Sequence, residues 1–401
     1  MKKRVLIIGA GFAGMWSALA AARAAHLANR SSELEVVVLA PEPRLGIRPR
    51  FYESDLSEVA PSLEDLFKAT GVAFLAGWVD EIDEAKRSVA YRDPNGQHAA
   101  IGYDRLILAT GSELAKPNLP GLAEFAFNND TLKAARHLQE HLENLAQRPN
   151  TTARNTVVVA GGGFTGIETS AELPARLRQI LGTDVGARVV IVERADVIGP
   201  ELGANPRPVI EAALKELGVE VKLGVSVTSI DSNGATLSDG STIESNTVIW
   251  TAGLKANKLT SQIAANRDAQ GRLHVTADLR VIGQEAVFAA GDTAFAATDT
   301  VGNHAMMSCQ HAMNLGRSAG HNAAADLVGI DAIPYDQVNY VTCLDLGSWG
   351  AVLTEGWDRQ VKLTGLEAKH LKTQINTLWI YPPKADRDEA FTAADPTRRV
   401  V

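Results

Sequence analysis

Two glycine triplets are the residues best placed to do chemistry, and they do it by lacking side chains. Gly9, Gly11 and Gly14 fall at the spacing GxGxxG, and Gly161, Gly163 and Gly166 repeat it about 150 positions later. Each glycine has a steric task in binding a dinucleotide. The first permits a tight turn, the second lets backbone approach a pyrophosphate, and the third lets a helix pack close to a strand. Two carboxylates stand where ligand hydroxyls would need acceptors. Glu193 follows an apolar run, where it would accept from a free ribose 2'-hydroxyl and repel a 2'-phosphate, so NADH is favoured over NADPH. Arg194 beside it is a group that could take such a phosphate. Asp292 follows Gly291 in VFAAGDTA and is placed to accept from the ribityl hydroxyls of a flavin.

These residues need strands that end, and helices that begin, at the glycines. The β-branched run at 5–8 precedes the first triplet, an alanine-rich helix over roughly 13–29 follows it, and a second strand is expected at 35–39. That strand ends at Ala40 rather than at an acid, which leaves Glu42, two residues on, as the substitute ribose contact. The second triplet follows a strand at 156–159 and precedes a helix to about 180; its second strand, 188–192, ends in Glu193. Two further buried strands run into glycine: YDRLILATGS, with Ala109, Thr110 and Gly111, and TVIWTAG, ending in Gly253. A helix is expected to start at Asp292. The alternating stretch 72–102, broken by the turn DPNG, reads as a small sheet.

With 401 residues the chain is long enough for two or three domains, and 45% hydrophobic residues supply a sizeable core. A formal charge of −8 argues against nucleic acid as a partner. The two cysteines, Cys309 and Cys343, are far apart in sequence and form no local CxxC, which fits a reducing compartment. His304 and His311 are seven apart with no third ligand, so no metal site is expected. The apolar run after Lys2 and Lys3 is too short for a secretory signal, and no run could span a bilayer.

The order GAGFAG, YDRLILATGS, GGGFTGIE, VIWTAG, VFAAGD resembles the flavoproteins with two dinucleotide-binding domains. That resemblance implies an α/β fold: two Rossmann-like domains and a small C-terminal α+β segment. The FAD domain would be discontinuous, 1–150 and 271–330, with the NADH domain, 151–270, inserted and a hairpin, helix and tail at 331–401. FAD would be held non-covalently. Within the family the chain is similar to the type II NADH dehydrogenases, which pass electrons from NADH to a quinone without pumping protons. GGGFTGIETSAEL, VIWTAGLKAN, PRFY (Pro49 and Tyr52) and GLEAKHLK carry the likeness.

By the same resemblance Glu168, in GIE, lies near nicotinamide and flavin; otherwise it is a first-turn acid stabilised by the helix dipole. The family's quinone-site pattern A-Q-x-A-x-Q-Q-G meets CQHAMNLG here. Gln310, Ala312 and Gly316 fit it, whereas Cys309, Asn314 and Leu315 depart from it. Gln310 and Asn314 share a helical face and could bind a carbonyl oxygen, with Tyr52 as a second candidate on that side. The alternative is that Met306, Met307 and Met313 with Cys309 simply pack a core.

The ending is polar, and a helix around 366–379 gathers Leu371, Ile375, Leu378 and Trp379 with Lys369, His370 and Lys372 elsewhere around it. A cytoplasmic enzyme, at most loosely peripheral to the inner face of the cell membrane, is expected; the tail could also be an arm for a homodimer. Three functions fit: an NADH:quinone oxidoreductase, a soluble reductase of a redox carrier protein, and an NADH- and FAD-dependent sensor.

Overall fold

The computed structural model describes residues 2–398. Two five-stranded parallel sheets organise the chain. In the first, the strands run in the order Val287–Ala289, Arg105–Leu108, Lys3–Ile8, Leu34–Ala40 and Ala73–Ala76. Ile8 is level with both Leu39 and Leu108, and Leu108 with Ala289. This register brings the loops that follow, at Gly9, Ala109 and Ala290, to one carboxyl edge, where α/β sheets bind their ligands. Val5, Leu6 and Ile7 are wholly buried. A run buried on both faces explains why the strand is continuously apolar rather than alternating.

The second sheet repeats the plan with Val219–Lys222, Arg188–Val192, Thr156–Ala160, Thr247–Trp250 and the short Ala126–Phe127. Ala160 is level with Val192 and Trp250, so Gly161, Glu193 and Thr251 emerge side by side. The two carboxyl edges are tied together. Immediately after Gly111, Ser112–Leu114 pairs antiparallel with Leu254–Ala256, which follows Gly253. Trp250 Nε1 also donates to Ala115 O at 3.1 Å.

Three sequence expectations are corrected. Residues 72–102 do not form one small sheet: Ala73–Ala76 joins the first parallel sheet, and only Trp78–Asp83, Ser88–Arg92 and His98–Gly102 form the antiparallel one. No helix starts at Asp292. That residue lies in a single 3-10 turn, Gly291–Thr293; the chain then pairs Ala294–Phe295 with Leu273–His274, and the helix begins only at Cys309, capped by the Ser308 hydroxyl. His304 is therefore not on the helix of His311; its ring stacks on Phe295 instead. Beyond residue 340 the chain forms three antiparallel strands, Val341–Asp345, Ala351–Glu355 and Gln360–Thr364, not a hairpin alone, followed by the helix Gly365–Gln374.

The helix Cys309–Val328 lies hard against Phe12–Leu27. Gly316 and Gly320 make this possible: a Cβ on either would come 2.5 Å from Ala13 O or 2.1 Å from Ser17 O. The match of Gly316 to the acceptor-site pattern thus has a packing reason. Met313 is buried in the same seam, while Met306 and Met307 precede the helix.

Candidate functional site

At the first cradle, Gly9 has φ +109° and a Cβ there would lie 2.4 Å from Ala109 O; on Gly14 it would lie 1.9 Å from Gly9 O. Gly11 differs. Its backbone, at φ −70°, suits any residue, and nothing lies within 4 Å of where its Cβ would be. The fold itself does not require glycine there, and its absent side chain leaves the start of helix Phe12–Leu27 open to the approach of a phosphate. Nearby, Thr110 Oγ1 is buried without a partner. Ser112 Oγ donates to Asp292 Oδ2 at 2.6 Å, and Arg48 bonds Ser112 and Asp130 while lying 3.9 Å from Asp292. Burial raises the Asp292 carboxyl, with Ser112 and Arg48 opposing the rise. An open cradle, an orphaned hydroxyl and a half-buried acid together fit FAD. Glu42 lies in the loop after the second strand, exposed and 4.0 Å from Arg44.

The second cradle has the same backbone: Gly161 at φ +116°, and a Cβ on Gly166 1.9 Å from Gly161 O. Glu193 is buried and accepts from Gly162 N–H at 2.7 Å and Ala195 N–H at 2.8 Å. Those bonds fix its carboxylate beside the glycine loop and leave further lone pairs for ribose hydroxyls. Gly253, at φ +78°, faces Ala115 at the junction between the sheets.

Glu168 is not a first-turn acid resting on a helix dipole. It is the fifth residue of helix Phe164–Leu181, it is 4% exposed, and its Oε1 accepts from Asp345 N–H at 3.0 Å and lies 2.8 Å from Lys372 Nζ. Burial pushes its carboxyl up to about 7, with Asp345 adding to the rise and Lys372 opposing it. Lys372 is held above its ordinary value by Glu168 despite its own burial. Two donors on one oxygen favour the carboxylate, so the pair is ionic at neutral pH and Glu168 takes up a proton as pH falls. Asp345 continues the network: it accepts from Tyr52 OH at 2.9 Å, from Lys369 Nζ at 2.6 and 2.8 Å, and from Gly347 N–H at 2.9 Å. The Tyr52 phenol is raised well above its usual value by burial and by Glu168 and Asp345, so it stays protonated.

Asp345, Lys369 and Lys372 went unnoticed in the sequence as site residues. In the structure Lys372 is buried against Glu168 and the half-buried Lys369 reaches Asp345, whereas Leu378 and Trp379 are exposed. Gln310 Oε1 is buried and unpartnered, whereas Asn314 Oδ1 already accepts from Arg317 at 2.9 Å, so the two amides do not act together. Burial pushes both Cys309 and Cys343 up to about 11, so neither is a thiolate at neutral pH.

The model of the pyridine nucleotide-disulphide oxidoreductases matches residues 3–316. The chain belongs to that family. It is an FAD-dependent oxidoreductase of a nicotinamide nucleotide. An NADH dehydrogenase-like protein of Mycobacterium tuberculosis strain H37Rv is 46% identical over 98% of both chains. The type II NADH:quinone oxidoreductase of the same strain is 30% identical over 73% of this chain and 67% of its own. In fold, the chain is similar to the NDH2 of Plasmodium falciparum solved in complex with NADH, with TM-score 0.79, 14% identity and 98% of both chains covered. Among the described residues no helix is long and apolar enough to cross a membrane.

Proposed function

We propose that this flavoprotein oxidises NADH and passes the electrons to a quinone or a quinone-like small acceptor. The observation that carries the proposal is the antiparallel pairing of Ser112–Leu114 with Leu254–Ala256, which ties the ligand edges of the two sheets to each other. Two nucleotides held at those edges would bring their rings together, and position is what hydride transfer demands of a protein. FAD supplies the acceptor of hydride when bound. Residues 1–150 and 271–330 would hold it and 151–270 would hold NADH, with Gly9, Gly11, Gly14, Ala109, Thr110, Gly111, Gly291 and Asp292 on the flavin nucleotide and Gly161, Gly163, Gly166, Glu193 and Gly253 on the nicotinamide nucleotide.

Glu168 and Tyr52 frame the catalytic region through Asp345, with Glu168 as the group that takes up a proton as pH falls below neutrality. Gln310, whose buried oxygen lacks a partner, is the candidate for contact with the acceptor. Raised thiols at both cysteines speak against a sulfur acceptor, and the relative named as an NADH:quinone oxidoreductase favours a quinone. The test is to reduce the holoenzyme with NADH without oxygen, then add menadione, ubiquinone-1 or a ferredoxin in turn. Rapid reoxidation by the quinones supports the proposal; reoxidation by ferredoxin alone would move the chain to the carrier-protein reductases.

A further inference from the structure

The start of the second glycine helix is covered by the chain's own carboxylate. Glu201 Oε1 accepts from Phe164 N–H at 3.0 Å and lies 2.5 Å from where a Cβ on Gly163 would be. Phe164 is the first residue of an 18-residue helix, whose free N–H groups and positive end favour one anion. A dinucleotide's pyrophosphate uses the same groups. Glu201 is an exposed side chain on the turn Pro200–Leu202, flanked by Gly199 and Gly203 at φ +56° and +80°. Gly199 N–H donates to Gly162 O at 2.9 Å, which seats this turn on the cradle.

A second position for the carboxylate lies close by. Arg359 is 6% exposed, its Nη1 has no hydrogen-bond partner, and its Nη2 reaches Glu201 O at 3.4 Å. The guanidinium lies over the Tyr340 ring, 4.5 Å from its centroid, and Asn205 Nδ2 donates to Asp358 O at 2.7 Å, so the hairpin turn at 356–359 and the loop at 199–205 are joined. An unpaired buried guanidinium N–H is costly, and a carboxylate brought to it would relieve that cost.

Resting on the assignment of the second cradle to NADH, we propose that Glu201 is an internal stand-in for the nucleotide's pyrophosphate, displaced on binding from Phe164 N–H to the unpaired Nη1 of Arg359. The occupied state lowers apparent nucleotide affinity in proportion to its population.

ADP-ribose carries the pyrophosphate and cannot reduce the flavin, so its calorimetric titration into the FAD-loaded protein reads the gate alone. Glu201→Ala is expected to tighten ADP-ribose by about three- to tenfold and to leave adenosine binding unchanged. Arg359→Gln is expected to weaken ADP-ribose in the parent protein and to have no effect in the Glu201→Ala background. An unchanged or weaker ADP-ribose affinity in Glu201→Ala overturns the proposal, and an equal Arg359→Gln effect in both backgrounds overturns the receiving role of Arg359. Gly163→Val, at a backbone φ of −80° that any residue adopts, fills the cradle and is expected to abolish binding. Should it bind normally, the assignment of the cradle to the nucleotide is what fails.

Discussion

Lys372 Nζ stands 2.8 Å from Glu168 Oε1, and at 5% and 4% exposure the two are nearly sealed from water. This contact joins the helix Gly365–Gln374 to the helix of the second cradle, and burial, opposed by Lys372, poises the carboxyl to titrate near neutrality beside the proposed reaction centre. The pH dependence of kcat is therefore expected to inflect near 7. Glu168→Gln should remove the inflection. Lys372→Met should move it upward, because the opposing charge is gone, and should cost about 3–5 kcal/mol of stability only at pH above the shifted inflection, where the carboxylate is stranded without its partner.

The fold leaves room for a side chain at Gly11 and none at Gly14, so on the proposed assignment a change at Gly11 touches the ligand alone. Gly11→Ala is expected to keep the melting temperature of the apoprotein and to lose FAD by at least about tenfold in affinity, roughly 1.4 kcal/mol. Gly14→Ala, with its Cβ 1.9 Å from Gly9 O, should lose stability even without ligand. Apoprotein melting and flavin titration of the two variants separate these outcomes.

Removing the Glu193 carboxylate frees Gly162 and Ala195 N–H and, on the proposed assignment, takes away the acceptor for a ribose 2'-hydroxyl. Glu193→Ala is expected to raise the KM for NADH about tenfold, a charged hydrogen bond's worth, and to narrow the gap to NADPH. The ratio of kcat/KM for the two nucleotides is the measurement, and an unchanged ratio discards the assignment.

Gln310→Ala is expected to slow reoxidation of the reduced enzyme by quinone by about tenfold while leaving reduction by NADH at the parent rate. Stopped-flow measurement of the two half-reactions checks this. Equal slowing of both would place the amide elsewhere.

His311 is fully buried, and burial holds its imidazole down at about 3, with Arg359 and Arg272 adding to the effect. In the unfolded chain the ring titrates near 6.5, so between these values the unfolded state binds the extra proton. Stability should thus fall as pH drops from 6.5 toward 3, with up to about 1.36 kcal/mol per pH unit from this residue. His311→Asn should flatten that part of the curve in denaturant titrations.

What could be read ahead in the sequence was what local sterics impose. A β-branched run closed by Gly9 or Gly161 has few conformations open to it, and the strands, turns and helices at both cradles lie within a residue or two of their expected places. Asp292 was visible as a strand-end acid, yet the helix expected there begins only at Cys309, because residues 294–295 pair with 273–274 first. Asp345 had no local signal at all: its contacts with Glu168 and Tyr52 span 177 and 293 residues. Lysines on a short helix look the same in sequence whether they face water or a buried carboxylate. Glu201 was equally silent, since only the folded loop carries it to Phe164 N–H.

The most direct test is an anaerobic titration of the purified protein with NADH, followed through the flavin's visible absorbance. A yellow protein that bleaches with one equivalent of NADH and regains its colour on adding menadione is the expected result. A colourless protein that takes up no added FAD, or a bound flavin that NADH leaves oxidised, would contradict the proposed transfer between two nucleotides.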